Sequence, residues 1–253
     1  MDKVQLLGVM VHPVTLQEAV ERIEQWLWEE SAACRYVVTP NLDHAVLLKE
    51  RNDLREAYRS AGLVIADGMP MVWASRLTGT DLKERVAGSD LVPALLARPS
   101  RGRKLRVFLL GAAPGVADRA ADNIHQRYPN VEVTGTCAPD LGFEHRPSEN
   151  AEIVRRINEA GTDLLVVGLG APKQELWIRE NAPALHARAA ICAGATIDFM
   201  AGHRQRAPRW MQRTGTEWLY RALSEPRRLL PRYAKDAYHL PALLLHDWKA
   251  SRN

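Results

Sequence analysis

Leu164-Leu165-Val166-Val167-Gly168-Leu169-Gly170-Ala171-Pro172-Lys173-Gln174-Glu175 is the stretch on which the fold turns. Four aliphatic residues in succession, without polar alternation, describe a strand covered on both faces, as in a parallel sheet flanked by helices. The glycines that follow let the chain turn sharply into a helix at the strand's carboxyl end. Outward from it, five further runs share this character: Tyr36–Thr39, Leu63–Ala66, Leu105–Leu110, Val131–Thr136 and Ala189–Cys192. Between them lie helical patterns, for example Leu16–Glu30 and Val116–Arg127. Thr15 followed by Glu18 reads as a capping box for the first helix, and Thr214 followed by Glu217 as another near the C-terminus. Strands alternating with helices predict an α/β fold on a mainly parallel sheet.

The pattern changes near residue 200. Ala207-Pro208, Glu225-Pro226, Leu230-Pro231 and Leu240-Pro241 divide the remainder into short helices with no strand between them. Proline is tolerated at a helix start because the N–H it removes has no partner there. The expected division is an α/β core over 1–202 and an appendage over 203–253, helical from Pro208. From His203 to Asn253 there are 11 Lys/Arg against 4 Asp/Glu, a net of +7; the first 202 residues hold 23 against 26, a net of −3. Trp210, Trp218, Tyr220, Tyr233, Tyr238 and Trp248 lie in the same segment. Such a tail suits an anionic partner (phosphate groups, nucleic acid or anionic lipid) or is simply a solvated basic helix.

Composition narrows the class. The 253 residues are 46% hydrophobic and 25% charged, with 16 glycines and 15 prolines, which excludes a disordered chain and a collagen-like repeat. Cys34, Cys137 and Cys192 are far apart and form no CxxC pair, so neither a disulfide framework nor a thiolate zinc site is expected. At the start, Met1-Asp2-Lys3 with a short apolar stretch ending at His12-Pro13, no export signal is visible and none is expected. No run approaches the roughly 18 to 20 apolar residues that span a bilayer. A protein that is soluble or lies on a membrane face is expected.

Ligands of open α/β sheets bind outside the carboxyl ends of the strands. The loops there are Thr39-Pro40-Asn41, Asp67-Gly68-Met69-Pro70, Gly111 to Gly115, Gly168 to Glu175 and Gly194 to Asp198, and their convergence at one end is the signal. The two glycine loops are neither GxGxxG nor GxxxxGK[ST]; each is a tight strand–helix turn or a nucleotide contact. Asp67 reads either as a helix N-cap or as a carboxylate that takes a proton from a substrate hydroxyl, and Asn41 and Asp198 carry a similar ambiguity. The thirteen aspartates never fall two apart, and His and Cys show no metal-ligand spacing, so no metal site is expected. A bound diphosphate would then be balanced by Arg, Lys and backbone N–H groups. Arg204, Arg206, Arg209, Arg213, Arg221, Arg227, Arg228 and Arg232 supply them. Arg221 and Arg228, seven apart, share a face if one helix runs through Pro226. Trp218, Leu219, Leu223, Leu229 and Leu230 offer an apolar face beside them, for a membrane interface or for the core.

Taken in order, the motifs resemble the WecG/TagA/CpsF family of bacterial glycosyltransferases from near residue 5 to about 235. They are Thr39-Pro40-Asn41, Ala66-Asp67-Gly68, Arg85 to Asp90, Leu109 to Gly115, Val167-Gly168-Leu169-Gly170 to Glu175, Ile197-Asp198-Phe199 to Gly202, Arg206 to Trp210, Glu217-Trp218 to Arg221, and Glu225-Pro226-Arg227-Arg228. The resemblance implies a Rossmann-like core with a C-terminal appendage that meets the membrane and completes the active site. It implies an inverting, metal-independent transfer of a hexose-type sugar from a UDP-sugar to a polyprenyl-diphosphate-linked sugar, on the inner face of the cell membrane and without a cofactor. By that pattern Asp67 is the general base, and Thr39, Asn41, Arg85 and Gln174 line the donor-sugar pocket. Asp198 and the loop from Gly168 through Gly170, Lys173 and Gln174 to Glu175 hold UDP, with Gly68 and Gly111 also counted as substrate-binding. Arg221 and Arg228 meet the diphosphate. One stretch departs from wall-polymer members: Thr136-Cys137-Ala138-Pro139-Asp140-Leu141-Gly142-Phe143-Glu144 stands where His-His-Gly-Tyr-Phe or Asp-Gly-Tyr-Phe is the pattern. This leaves N-acetylmannosamine, its uronic acid and glucose open as the donor sugar.

Two rival classes share some of these features. A nucleotide-dependent oxidoreductase also uses a Rossmann-like sheet but binds NAD tightly. A nucleic-acid-binding protein would explain the basic tail, yet no helix-turn-helix, zinc finger or RNP motif is present, and no nucleic-acid partner is expected. The sequence leaves a homo-oligomer open.

Overall fold

The computed structural model describes residues 2–29, 33–80, 82–99 and 101–250; the side chains of Arg213, Trp248, Lys249 and Ala250, and the residue Glu30, lie outside the described part. The chain opens with a hairpin, β1 (Val4–Leu6) and β2 (Val9–Val11), followed by α1 (Leu16–Trp28), β3 (Arg35–Val38), α2 (Leu42–Glu50), α3 (Asn52–Arg59) and β4 (Leu63–Val64). Helices α4 (Met69–Thr78) and α5 (Gly88–Leu96) lead to β5 (Leu105–Gly111), α6 (Val116–Arg127), β6 (Val131–Cys137) and α7 (Pro147–Glu159). Then come β7 (Leu164–Gly168), α8 (Lys173–Asn181), β8 (Ala189–Cys192), α9 (Thr196–Met200), α10 (Arg209–Thr214), α11 (Glu217–Ser224) and α12 (Pro226–Ala250).

Six strands form one parallel sheet in the order β4-β3-β8-β7-β5-β6, so the expected Rossmann-like α/β architecture is present. Period-two alternation explains the unbroken aliphatic runs. Val37, Leu164, Val166 and Ile191 point into a core shared with α1, α5, α6 and α9. Tyr36, Val38, Leu165, Val167 and Cys192 point into the opposite core, with α2, α3, α8, the hairpin and Leu243 of α12. The inner strands are thus apolar on both faces because each face has its own helical layer, whereas the edge strand β6 exposes Glu132.

The capping box at Thr15 and Glu18 forms: Thr15 N–H donates to Glu18 at 2.8 Å and Glu18 N–H to Thr15 Oγ1 at 3.2 Å. Two expectations need correction. Thr214 does not cap α11; Gly215 adopts the left-handed C-cap of α10, the chain restarts at Thr216, and Thr214 Oγ1 donates back to Trp210 O at 3.0 Å. Pro231 and Pro241 do not divide the tail, for both lie inside α12, whose Leu229, Asp236, Leu243 and Asp247 are buried on either side of them. Tertiary packing holds the helix through the hydrogen bonds the prolines delete. The break expected at Glu225-Pro226 is present: Glu225 (φ −134°, ψ 59°) separates α11 from α12, so Arg221 and Arg228 do not share one helix.

The hairpin is an element the sequence reading did not foresee. Leu7 (φ 52°) and Gly8 (φ 75°) form its two-residue turn, a conformation costly for leucine. The buried carboxylate of Asp247, on α12, accepts from both turn amides and from the Gln5 side chain. The far end of the chain therefore fastens its beginning.

Candidate active site

The carboxyl ends of β3, β4, β7 and β8 bring candidate residues to one end of the sheet, where an open α/β sheet has its ligand crevice, and the appendage packs against them there. Beyond β4 the chain stays extended between two neighbours: Ile65 N–H donates to Val38 O, Asp67 N–H to Pro40 O at 2.7 Å, and Val86 N–H to Ala66 O. This fixes Asp67 between the Thr39–Asn41 turn and the segment that carries Arg85. Gly68, at φ 98°, is the N-cap of α4, and Asp67 makes no capping bond. The N-cap alternative for Asp67 is thereby removed.

Burial is the largest influence on the Asp67 carboxyl and pushes its pKa up to about 6. Arg85 and Arg221 pull it down, and Glu217 and Asp90 push it further up. Its side chain keeps 29% of its surface, so one side opens to the crevice while protein encloses the rest. Arg85 Nη1 stands 3.9 Å from Asp67 Oδ1, and its other contacts are Asp90 at 3.0 Å and Glu217 at 3.3 Å. Arg206 closes the set, bonding Asp90 at 2.5 and 2.8 Å and facing Glu217 at 3.5 Å.

Thr39 is buried beside the strand ends, its Oγ1 donating to Cys192 O at 3.1 Å. Asn41 is the N-cap of α2: its Oδ1 accepts from His44 N–H at 3.3 Å and from Arg232 Nη2 at 3.4 Å. The capping reading of Asn41 is therefore right, and it does not displace the residue from the crevice wall. Gln174 is buried and braces the β8 loop, accepting from Gly194 N–H at 3.2 Å and donating to Glu175 Oε1 at 2.8 Å. Glu175 is fully buried, 3.5 Å from His44 Nε2. It supports the floor of the site from the interior.

Gly111 and Gly168 pack against each other where β5 and β7 end. A Cβ on Gly111, at φ 116°, would lie 2.5 Å from the Gly168 carbonyl. Gly170 O accepts from Gln174 N–H at 3.0 Å in the turn into α8. Lys173 Nζ lies 2.8 Å from Glu144, away from Asp67's partners. Asp198 lies in the first turn of α9, 3.7 Å from Arg204 Nε.

The appendage seats directly on this crevice. Gly215, in the turn between α10 and α11, approaches Met69 so closely that a Cβ would fall 2.5 Å from the Met69 side chain. Arg221 is half-buried and forms no ion pair among the described residues, yet its charge reaches both Asp67 and Glu225. Glu225 binds Arg204 at 2.6 Å and Arg228 at 2.7 Å. Three tail arginines thus gather round one carboxylate. Asp90 carries no assigned role in the sequence, Glu217 reads there as a capping partner of Thr214, and Arg206 and Arg232 read as two of many arginines for a diphosphate; here Arg206 is engaged with Asp90 and Glu217, and Arg232 with Asp43. Their pairing joins residues far apart in the chain and has no local signature.

The tail's apolar side chains divide. Leu229 is buried, whereas Trp210, Trp218, Leu219, Leu223 and Leu230 are exposed. Among the described residues no helix is long and apolar enough to cross a membrane, and no group of three or more His, Cys, Asp or Glu side chains is arranged to hold a metal ion.

A parallel sheet with a carboxyl raised by burial and clustered arginines beyond its strand ends suits a group-transfer enzyme, here a glycosyltransferase. The chain belongs to the WecG/TagA/CpsF family of glycosyl transferases, whose model matches residues 4–253. Three Staphylococcus aureus proteins, from strains MRSA252, MW2 and NCTC 8325, are each 29% identical to it over 231 residues, covering 90% of this chain and 87% of theirs. Each is named N-acetylglucosaminyldiphosphoundecaprenol N-acetyl-beta-D-mannosaminyltransferase.

Proposed function

We propose that the enzyme transfers a hexose-type sugar from a UDP-sugar to a polyprenyl-diphosphate-linked sugar with inversion, and without a metal ion, using Asp67 as general base. The observation that carries this reading is the Asp67 carboxyl, raised by burial and 29% exposed, within electrostatic reach of Arg221, which forms no ion pair among the described residues. Attack on the anomeric carbon develops positive character at the sugar and negative charge on the departing UDP. A base on the opposite face removes the acceptor's proton, and preorganised guanidinium groups offset the leaving charge. Arg221 and Arg228 serve the diphosphate, and Arg85, Asn41 and Thr39 frame the donor sugar. Gln174 and Glu175 act by fixing the loops around it. The relatives' names point to N-acetylmannosamine as the sugar and to an N-acetylglucosaminyl diphospholipid as the acceptor.

A lipid-linked acceptor fits an enzyme that works on the inner membrane face. Exposed Trp210, Leu219, Leu223 and Leu230 beside Arg209 and Arg227 fit that location, since anionic headgroups add roughly 1 kcal/mol per nearby cation. The core and the appendage work as two functional parts, 1–202 and 203–253. The test is incubation of the full chain with a panel of UDP-sugars and a short-chain polyprenyl-diphosphate-N-acetylglucosamine, with and without EDTA. A disaccharide-lipid product from UDP-N-acetylmannosamine, undiminished by EDTA and opposite in anomeric configuration to the donor, is expected. No transfer from any UDP-sugar would refute the reading.

A further inference from the structure

Arg85 has three carboxylates within reach and one guanidinium to share among them. Its Nη2 bonds Asp90 Oδ2 at 3.0 Å and its Nη1 faces Glu217 Oε2 at 3.3 Å, which leaves Asp67 Oδ1 at 3.9 Å, outside hydrogen-bond length. Arg206 binds the same two partners, Asp90 and Glu217, from the other side. Arg85, Asp90, Arg206 and Glu217 therefore form a closed ring of alternating charge. Two members come from the core and two from beyond residue 202. All four are at most 29% exposed, so solvent screens them less than it screens surface pairs.

Asp67 stands just outside this ring, and that position matters for a base. A guanidinium at hydrogen-bond distance would occupy a carboxylate lone pair and weaken its hold on a proton. In the observed arrangement Glu217 is the group that competes with Asp67 for Arg85 Nη1. Without it, Asp67 is the nearest unclaimed carboxylate.

We propose that Glu217 is a positioning residue: seated on the core with α11, it draws Arg85 away from Asp67 and leaves that carboxylate free to take the acceptor's proton. This rests on the reading of Asp67 as general base and adds to it the reason why a core base needs the appendage. The charged groups that face Asp67 are Arg85 and Asp90 from the core and Glu217 and Arg221 from α11. Removing the Glu217 charge acts twice in one direction, deleting a negative neighbour and releasing a positive one towards Asp67.

The experiment is the pH–rate profile of sugar transfer by the full chain and by Glu217→Gln, with UDP affinity and thermal melting measured on both. Glu217→Gln is expected to move the acidic limb to lower pH by roughly one unit and to reduce the plateau rate about tenfold through a weaker base, with UDP affinity within about twofold. Adding Arg85→Gln should return the limb towards its original position, because the effect runs through Arg85. Should Glu217→Gln melt too low to assay, Glu217→Asp, whose shorter side chain withdraws the carboxylate from Arg85, should shift the limb in the same direction by a smaller amount. An unmoved limb in a folded Glu217→Gln protein, or in Glu217→Asp where Glu217→Gln does not fold, would overturn the proposal, whatever happened to stability. Asp67→Asn separates the two layers: near-normal transfer removes the base reading itself, whereas an inactive Asp67→Asn with an unmoved Glu217→Gln limb removes only the role of Glu217.

Discussion

Arg232 of α12 and Asp43 of α2 form an ion pair at 3.0 Å, and the same guanidinium nitrogen reaches Asn41 Oδ1 at 3.4 Å. The appendage therefore grips the α2 N-terminus on one side of the crevice, as Glu217 and Arg206 grip Arg85 and Asp90 on the other.

Arg232→Ala leaves Asp43 and the buried Asp236 together without their shared cation. Loss of charge-assisted bonds at a half-buried site costs about 1.5–3 kcal/mol, so thermal melting should show a clear fall in Tm. Asn41 also loses a partner, and donor affinity should drop with it.

Asp236 tests the sign of the electrostatics. It is 5% exposed, its Oδ1 has no hydrogen-bond partner among the described residues, and burial, with Asp43 beside it, pushes its pKa up to about 6. The folded value lies above the unfolded one, so the native state holds more protons between about pH 4 and 6, and stability is lost as pH rises through 6. Asp67 has the same sign. Asp236→Asn should melt above the parent at pH 8, with the advantage vanishing near pH 4.

Asp247→Ala removes the acceptor of the Leu7 and Gly8 amides. Leaving the buried Leu7 donor unpaired costs about 1–3 kcal/mol, whereas the exposed Gly8 amide can turn to water. The urea midpoint should fall, and hydrogen exchange at Leu7 and Gly8 should accelerate before that of the central strands.

Arg221→Gln and Arg228→Gln address the diphosphate. Each should weaken UDP binding roughly ten- to hundredfold, the worth of a charge-assisted hydrogen bond. Uridine, which has no diphosphate, should bind both variants as it binds the parent; equal losses for the two ligands would place these arginines elsewhere.

Much of the fold was legible because its signal is local. The run Ala189–Cys192 and the helix Val116–Arg127 have the bounds expected from the sequence, since doubly covered strands and amphipathic helices both write their burial into consecutive residues. The hairpin was not legible: β1 and β2 are three residues each, and their turn carries a leucine where glycine or asparagine would have announced it. The continuity of α12 through Pro231 and Pro241 depends on packing by Leu229 and Leu243, which proline counting ignores. At the site, Asp67 stood out because it follows a buried strand and precedes a glycine. Glu217 and Arg206 did not, because their meaning lies in partners more than a hundred residues away in the chain: Glu217 meets Arg85, and Arg206 meets Asp90.

Sugar transfer by Asp67→Asn, measured beside its UDP affinity and melting temperature, tests the central claim most directly. Loss of general-base assistance predicts turnover reduced by about 10²–10⁴, with UDP binding retained and the fold at least as stable at pH 8. Turnover close to that of the parent, in a protein equally well folded, would contradict it.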